Sequence, residues 1–534
     1  MSAAAAAPPR NADGVSPYRW LILFGLITAA ILEVLDTTIV NVSLPQMAGN
    51  LGATSEEIGW VSTGYILSNV IVLPMTAWLS SRFGRKRYLA ASILIFVIAS
   101  FFCGTSTSLL PLILWRIVQG AGGAALLSTA QATIREIFPK EQQGLVQAIY
   151  ILGIIAAPTL GPTVGGWITD NFSWHWAFLI NLPIGLMSFF LVSSFLEDSA
   201  FNMETTSIDW LGIGLLAVGL GSLQYVLEEG NSKMWFQDQR IVTLSLISAV
   251  TLPLFVWWEL SARNRMPIVN LRVLRNRDLS AALILFVVLG FGLYGGVFLF
   301  PMFVQNVMRL TPTETGLALL PGGIATGVSA MLTGRLANPG KILIDPRFLI
   351  VTGLSMFTGA MFIMGHLPAT AGVQDAFVAL LLRGFGLGML FVPINLAAFA
   401  SLKGPEIAQG SGLLNLCRQL GGSFGIAVLG SFVTHTAASA RGSLVDHVSQ
   451  GNPNFDSRFS MLTQAMMAKG YALGPAKSAA ASIIDRQVQL QASTISYNTS
   501  FLVIAGVTVA AAPLILLLRK PQPRLLAGPP PDAH

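Results

Sequence analysis

Long apolar runs recur along the chain and alternate with short polar segments. Fourteen of these runs approach the roughly 20 residues that a helix needs to cross the hydrocarbon core of a bilayer. Their centres lie near residues 30, 68, 96, 122, 156, 186, 219, 250, 291, 326, 356, 388, 421 and 508. The pattern predicts an all-α membrane protein with 14 transmembrane helices. The first run, residues 20–40, is too long for a signal peptide and lacks a cleavage site after it, so we expect it to remain as the first span.

The longest polar segment between two runs covers residues 437–497. Its apolar residues recur at helical spacing from residue 455 to residue 496, with a break near residues 470–475. We therefore expect a short helical hairpin outside the membrane. The ends of the chain, residues 1–17 and 521–534, are rich in alanine and proline and are expected to be disordered tails.

The composition agrees with a membrane protein. The chain of 534 residues is 53% hydrophobic and only 10% charged, whereas soluble domains have roughly 25% charged residues. The net charge of +6 does not indicate nucleic-acid binding, because the basic residues lie between apolar runs and not on one face. We expect no metal, cofactor or intramembrane enzyme site. The chain has only two cysteines, and its five histidines form no ligand-like pair within the spans.

Lysine and arginine are distributed unequally between alternate loops. The loops at residues 48–57, 105–108, 170–176 and 365–375 contain neither residue, and the other short loops on that side add only Lys233, Arg240 and Arg309. The opposite set contains residues 82–87, five arginines between residues 263 and 277, and most of the remaining basic residues near span ends. Positive charge marks the cytoplasmic side, so both termini are predicted to be cytoplasmic.

The chain contains an internal repeat. Arg116 and Arg383 each lie inside an apolar run, are each followed by a glycine cluster, and are 267 residues apart. Residues 77–86 correspond to 334–341, and the glycines around Gly161 correspond to 421–425. Such repeats predict two pseudo-symmetric six-helix bundles, at residues 18–200 and 279–520. The chain between them would form two inserted helices at residues 201–262 and a basic cytoplasmic linker at residues 263–278.

Four motifs resemble those of the 14-span drug:proton antiporters of the major facilitator superfamily, the EmrB/QacA branch. They are residues 35–45 (LDTTIVNVSLP), 79–86 (LSSRFGRK), 116–124 (RIVQGAGGA) and 153–166 (GIIAAPTLGPTVGG). The motifs occur in family order, and the resemblance extends over nearly the whole chain. It implies the major facilitator fold and a multi-pass protein of the bacterial inner membrane.

Two acidic residues in the first span are candidates for proton coupling. Glu33 and Asp36 are three residues apart, so they share one helix face and are expected to point into a cavity. Burial favours a neutral carboxyl group and a nearby cation favours a charged one, so an aspartate near Arg116 could bind and release a proton. Asp36 is the candidate proton carrier, and a structural ion pair is the alternative. Glu33 could set a preference for cations or could be merely solvated.

Other polar residues within the spans are candidates for the substrate cavity. Arg116 could tune the proton site, or its charge could be satisfied by backbone carbonyls. Arg418 could meet an anionic group or a carboxylate. We expect the substrate cavity to include Asn41, Gln119, Arg383, Asn415 and Arg418.

The fifth span combines small residues with two prolines. Small side chains four residues apart allow another helix to approach closely, and proline kinks a helix. The resemblance implies a hinge at the interface of the two halves, and static packing is the alternative. The candidate hinge residues are Gly153, Pro158, Gly161, Pro162 and Gly165.

The loop at residues 82–87 departs from the family pattern. Family members often carry glycine and aspartate where this chain has Ala77 and Ser81, so the carboxylate expected to latch the cytoplasmic side is missing. The candidate gating residues that remain are Arg82, Gly84 and Arg85. They could instead cap helix ends or contact anionic lipid.

The resemblance implies proton-driven export of amphipathic or hydrophobic, drug-like small molecules by alternating access. Branch members with a long external segment often work with a periplasmic adaptor protein and an outer-membrane channel, and a plain cap over the cavity is the alternative for residues 437–497. A proton-independent facilitator, an exporter of one metabolite, or a membrane sensor that does not transport would have the same fold.

Overall fold

Apolar helices account for nearly all of the chain that the structure describes. The computed structural model describes residues 16–139, 141–198, 208–264, 266–337, 343–448 and 451–518. These residues form 17 α-helices joined by short turns and 3-10 segments, and they contain no strand. The predicted tails at residues 1–17 and 521–534 lie almost entirely outside the described residues.

The described residues of the first half form eight helices. They are α1 (Arg19–Leu51), α2 (Ser55–Val72), α3 (Thr76–Phe83), α4 (Arg85–Gly104), α5 (Leu109–Ile137), α6 (Gln143–Asn171), α7 (Trp176–Leu179) and α8 (Asn181–Phe195). Helices α2 and α3 form one span, because only a 3-10 turn at Leu73–Met75 separates them. Pro74 lies in that turn and cannot donate a helical hydrogen bond. Helices α7 and α8 together form the sixth span.

Nine further helices follow among the residues that the structure describes. They are α9 (Trp210–Glu229), α10 (Gln239–Leu260), α11 (Arg277–Asn306), α12 (Pro312–Leu336), α13 (Pro346–Met364), α14 (Val373–Phe399), α15 (Pro405–Val445), α16 (Pro453–Ala468) and α17 (Leu473–Ala511). Helix α16 packs against α17 and follows the 41-residue helix α15. The break between α16 and α17 lies close to the predicted one at residues 470–475.

Within the described residues, 13 helical segments are long and apolar enough to cross a membrane, and they correspond to all of the 14 predicted spans except the fifth. The predicted fifth span corresponds to α6, whose 29 residues would extend about 43 Å at 1.5 Å per residue. The all-α membrane fold is therefore confirmed.

The two halves repeat one packing scheme. In the first half, α1 packs against α6 and α8, and α5 packs against α2 and α4. In the second half, α11 packs against α15 and α17, and α14 packs against α12 and α13. Helices α9 and α10 pack against each other, and α9 also contacts α2 and α15. The halves meet where α6 packs against α12 and where α5 packs against α15.

Candidate functional site

A buried ion pair lies inside the first half. Arg116 on α5 donates from Nη1 to Asp36 Oδ2 on α1 over 2.5 Å. The residue Asp36 is 0% exposed and Arg116 is 1% exposed. Arg116 Nε also donates to the backbone carbonyl of Val61 over 2.9 Å, and the guanidinium lies over the Tyr65 ring. The expected proximity of Asp36 and Arg116 is therefore present in the structure.

Two amide side chains complete the surroundings of Asp36. Gln119 Nε2 and Asn181 Nδ2 donate to Asp36 Oδ1 over 3.0 and 2.8 Å. Both amides also donate to Ser100 Oγ. The carboxylate therefore accepts three hydrogen bonds and links α1 to α5 and α8. Charge-assisted hydrogen bonds of this kind are stronger than neutral ones.

Glu33 lies one turn from Asp36 in different surroundings. Asn69 Nδ2 donates to Glu33 Oε1 over 3.3 Å, and the backbone N–H of Leu127 donates to Oε2 over 3.2 Å. The residue Glu33 is buried, and the positive charge of Arg418 from the second half acts on its carboxylate. Glu33 thus interacts electrostatically across the interface, whereas Asp36 is paired within one half.

An open cavity lies between the halves, and the empty space in it and at its mouth, open solvent included, is about 640 Å³. Val34 and Ile154 line it from the first half, and residues of α11, α12, α14 and α15 line it from the second. Of the candidate cavity residues, Arg383 and Arg418 are part of the lining. The other lining side chains are mostly apolar, so the cavity suits a hydrophobic body.

The other candidate cavity residues lie elsewhere. Gln119 belongs to the Asp36 cluster, and Asn41 is exposed and accepts a 2.5 Å hydrogen bond from Ser62 Oγ. Asn415 Nδ2 donates to Gln131 Oε1 over 3.2 Å, which connects the two halves. The sequence placed these amides in spans but gave no information on which face of the bundle they occupy.

A polar cluster closes the predicted cytoplasmic side. Gln131 Nε2 donates to Asn395 Oδ1, and Ser411 Oγ donates to the backbone carbonyl of Ser128 over 2.7 Å. Arg135 Nη2 donates to the backbone carbonyl of Asn395 over 3.2 Å. These hydrogen bonds join α5 of the first half to α14 and α15 of the second half. The described conformation is therefore closed toward the predicted cytoplasmic side.

The glycine stripe of α6 faces α1. Added β-carbons at Gly153 and Gly161 would lie 2.8 and 1.9 Å from atoms of Ile27 and Thr38, and Gly165 approaches Ile39. The stripe therefore packs within the first half, and this placement differs from the expected position between the halves. Helix α6 contacts α12 through other residues, such as Leu152. The side chains of Pro158 and Pro162 lie outside the described residues.

The loop after α3 is held by acidic residues of its own half. Arg85 forms an ion pair with Glu136 at the end of α5, and the backbone N–H of Lys86 donates to Asp198 over 3.0 Å. Gly84 has a φ of +85°, and a β-carbon there would lie 2.8 Å from Asp198. Arg82 lies near the rings of Trp78 and Phe83. Ser81 has no carboxylate to offer this loop. Glu136 and Asp198 provide the carboxylates that contact it.

Sequence reasoning missed several members of the site. Asn181, Tyr65 and Asn69 surround the two acidic residues, and Gln131 and Asn395 form the closure. The available signal was a polar side chain inside an apolar run, because such residues usually face a protein partner and not lipid.

Comparisons with known proteins agree with this architecture. The model of the Major Facilitator Superfamily matches residues 26–426. The multidrug export protein EmrB of Escherichia coli K12 is 31% identical over 507 residues, covering 94% of this chain and 95% of EmrB. The fatty acid resistance protein FarB of Neisseria gonorrhoeae is 31% identical over 503 residues, covering 94% of this chain and 96% of FarB.

A solved structure supports the fold alone. The human organic anion transporter MFSD10 (TETRAN) superposes with a TM-score of 0.56 at 13% identity, over 93% of this chain and all of that one. Family match, relatives and fold agree, so the chain is a membrane transporter of the Major Facilitator Superfamily. Within that superfamily it belongs to the EmrB/QacA branch.

Proposed function

We propose that this protein exports amphipathic or hydrophobic small molecules in exchange for protons. The substrate class is supported by the names of its relatives, EmrB for multidrug export and FarB for fatty acid resistance. It is also supported by the mostly apolar cavity between the halves. Such a cavity recognises shape and hydrophobicity loosely, which suits an exporter of several compounds.

The buried Asp36–Arg116 pair is the observation that supports proton coupling. Its atoms are 2.5 Å apart and its side chains are shielded from solvent, so a proton on Asp36 would remove a strong attraction between α1 and α5. Asp36 is the proposed proton carrier and Arg116 its charge partner. Glu33 is a second acidic group beside the cavity.

Alternating access would require the cytoplasmic cluster to open. The Gln131–Asn395 contact and its neighbours hold α5 against α14 and α15 in the described conformation. Opening this cluster while the other end of the cavity closes would expose the cavity to the cytoplasm. We propose that proton release from Asp36 and substrate binding accompany that change.

The proton gradient supplies enough energy for this exchange. One charge that crosses a membrane at about 150 mV provides about 3.5 kcal/mol, at roughly 2.3 kcal/mol per 100 mV. That energy sustains a concentration ratio of a few hundredfold, since each 1.4 kcal/mol corresponds to about tenfold.

We further propose that the protein lies in the bacterial inner membrane with both termini cytoplasmic, where lipid surrounds its apolar helices.

The hairpin of α16 and the start of α17 would then project into the periplasm. There we propose that it docks an adaptor protein that leads to an outer-membrane channel. Exposed Met467, Tyr471 and Leu473 lie near its turn. Deletion of residues 455–492 should abolish efflux from cells and leave transport in proteoliposomes intact. Unchanged cellular efflux would refute docking.

Transport in proteoliposomes with an imposed pH step tests the main proposal. A panel of fluorescent amphipathic dyes should move against the proton flow with the wild-type protein, and Asp36→Asn should lose the effect of pH. Movement that ignores the pH step in the wild type would indicate a facilitator. Absence of movement for every dye, with binding retained, would indicate a sensor.

A further inference from the structure

Two arginines line the central cavity without a protein anion in contact. Arg383 is 6% exposed and Arg418 is 5% exposed. Within the described part of the chain, neither guanidinium forms a side-chain ion pair within 4.0 Å or a hydrogen bond, and Arg418 Nε is buried without a hydrogen-bond partner. A buried cation without a contacting anion is costly, so a cavity with two such cations favours an anionic ligand.

The first half shows what a protein partner would look like. Arg383 occupies the place in the repeat that Arg116 occupies in the first half. Gly296 on α11 lies beside the Arg383 guanidinium, because an added β-carbon there would lie 3.4 Å from Arg383 Cζ. In the first half Arg116 pairs with Asp36 of α1, whereas within the described residues Arg383 forms no ion pair.

The charge of the cavity lining is positive. Its 15 lining residues include two arginines and no aspartate or glutamate, and the walls around Arg383 are formed by residues such as Leu293, Leu380, Leu387 and Phe391. Glu33 is the acidic residue that interacts with Arg418 from α1, and its oxygens already accept from Asn69 and Leu127. Arg383 has no such acidic residue nearby among its described contacts.

We propose that this cavity selects amphipathic organic anions, with the acidic head group at Arg383 and Arg418 and the apolar body against the leucine and phenylalanine walls. This inference rests on the proposed function, since it assumes that the cavity holds the exported molecule. A guanidinium binds carboxylate, sulfonate and phosphate oxygens through paired N–H groups. The same two charges repel a cation of equal size, so head-group charge determines selectivity.

Equilibrium binding to the purified protein in lipid nanodiscs tests the inference without any gradient. The probes are dansyl-labelled undecanoate, undecanamide and undecylamine, which share a chain and differ in head-group charge. Empty nanodiscs correct for partition into lipid. We expect the carboxylate to bind at least about tenfold more tightly than the amide, and the amine to bind more weakly still. Equal affinities, or a preference for the amine, would overturn the inference.

Charge-removing variants locate the binding site. Arg383→Gln and Arg418→Gln should each weaken undecanoate binding by about tenfold or more and leave undecanamide binding within about twofold. Arg309→Gln removes the same charge at an exposed position outside the cavity and should change neither. Loss of affinity for both probes in equal measure would show a packing role for the arginines and refute the inference.

Gly296→Asp provides the sharper test, because it restores the acidic partner that the first half has. The new carboxylate should pair with Arg383 and reduce undecanoate binding about as much as Arg383→Gln does. Gly296→Ala adds only the β-carbon and should retain the preference for undecanoate. Undiminished preference in a folded Gly296→Asp protein would contradict the inference.

Thermal unfolding separates a ligand-binding arginine from a structural one. Because Arg383 has no described protein partner, Arg383→Gln should unfold at or above the wild-type temperature without ligand and should lose protection by undecanoate. A large loss of stability without ligand would refute the inference.

Failure of this inference and failure of the proposed function can be distinguished. If undecanoate binds selectively and yet does not move in response to a pH step, the proposed exchange with protons fails and the inference stands. If only cationic dyes move, the inference fails and proton-driven export stands.

Discussion

Arg116 donates a 2.5 Å hydrogen bond to Asp36 in the interior of the first half, where neither side chain is exposed. The pair joins the first and fourth spans, and Gln119 and Asn181 add further donors to the same carboxylate. A buried pair of this kind contributes to stability only while both partners are present, since removal of one leaves an uncompensated charge. The stability of the first half and the proposed proton coupling therefore depend on the same ion pair.

A double-mutant cycle measures that contact. Arg116→Gln should lower the free energy of unfolding by about 3–5 kcal/mol, because it leaves the Asp36 carboxylate buried without its cation. Asp36→Asn combined with Arg116→Gln should be less destabilising than the sum of the two single substitutions. Unfolding in lipid nanodiscs gives both values.

The exposed ion pair between Arg441 and Asp485 is the matched control. Its nitrogen and oxygen are 2.7 Å apart, and its side chains are 49% and 62% exposed. Asp485→Asn should therefore cost less than about 1 kcal/mol. Equal losses at Asp36 and Asp485 would show that burial of the inner pair has no energetic consequence.

Glu33→Gln should affect both stability and binding. Asn69 and Leu127 donate to different oxygens of Glu33, and glutamine retains only one oxygen, so one buried donor loses its acceptor and the free energy of unfolding should fall by about 1–3 kcal/mol. Loss of the negative charge that interacts with Arg418 should strengthen binding of the undecanoate probe severalfold. Weaker undecanoate binding in Glu33→Gln would contradict the electrostatic description of the cavity.

The polar cluster at the predicted cytoplasmic side should control which side of the cavity is open. Asn395→Ala removes the hydrogen bond from Gln131, so the halves should separate there more often. Spin labels at Arg87→Cys and Lys403→Cys, both at exposed positions, report the distance between the halves after Cys103 and Cys417 are replaced by serine. We expect a larger population of long distances in Asn395→Ala. An unchanged distance distribution would exclude this cluster as a gate.

Close helix contacts in the second half should tolerate no added methyl group. A β-carbon at Gly384 would lie 2.1 Å from the Gly322 carbonyl oxygen, which is backbone and cannot rotate away. Gly384→Ala should therefore separate α12 from α14 and reduce the yield of folded protein. Gly359→Ala on α13 is the control, because nothing lies within 4 Å of its added carbon. Similar yields for the two variants would contradict the close packing.

The spans and the Asp36–Arg116 contact were predictable from the sequence. Apolar run length fixes the spans, and a buried acid requires a buried base. The sequence also indicated that α11 has no acidic residue deep in the membrane to pair with Arg383, because Asp278 is the only acidic residue of α11 and lies at its first turn. Local patterning indicated that these residues are inside the membrane.

The contacts between distant segments were not predictable. Gln131 and Asn395 are 264 residues apart, and no local pattern pairs them. The glycine stripe of α6 could have faced either α1 or α12, since small side chains allow close approach on any side. The face that each helix presents is determined by the packing of the whole bundle.

Proton movement driven by substrate tests the central claim most directly. Proteoliposomes that contain a pH-sensitive dye and equal pH on both sides receive a substrate gradient, and the internal pH is followed. The wild-type protein should move protons against the substrate, and Asp36→Asn should move substrate without protons. Proton movement at the wild-type rate in Asp36→Asn would contradict the proposed role of the Asp36–Arg116 pair.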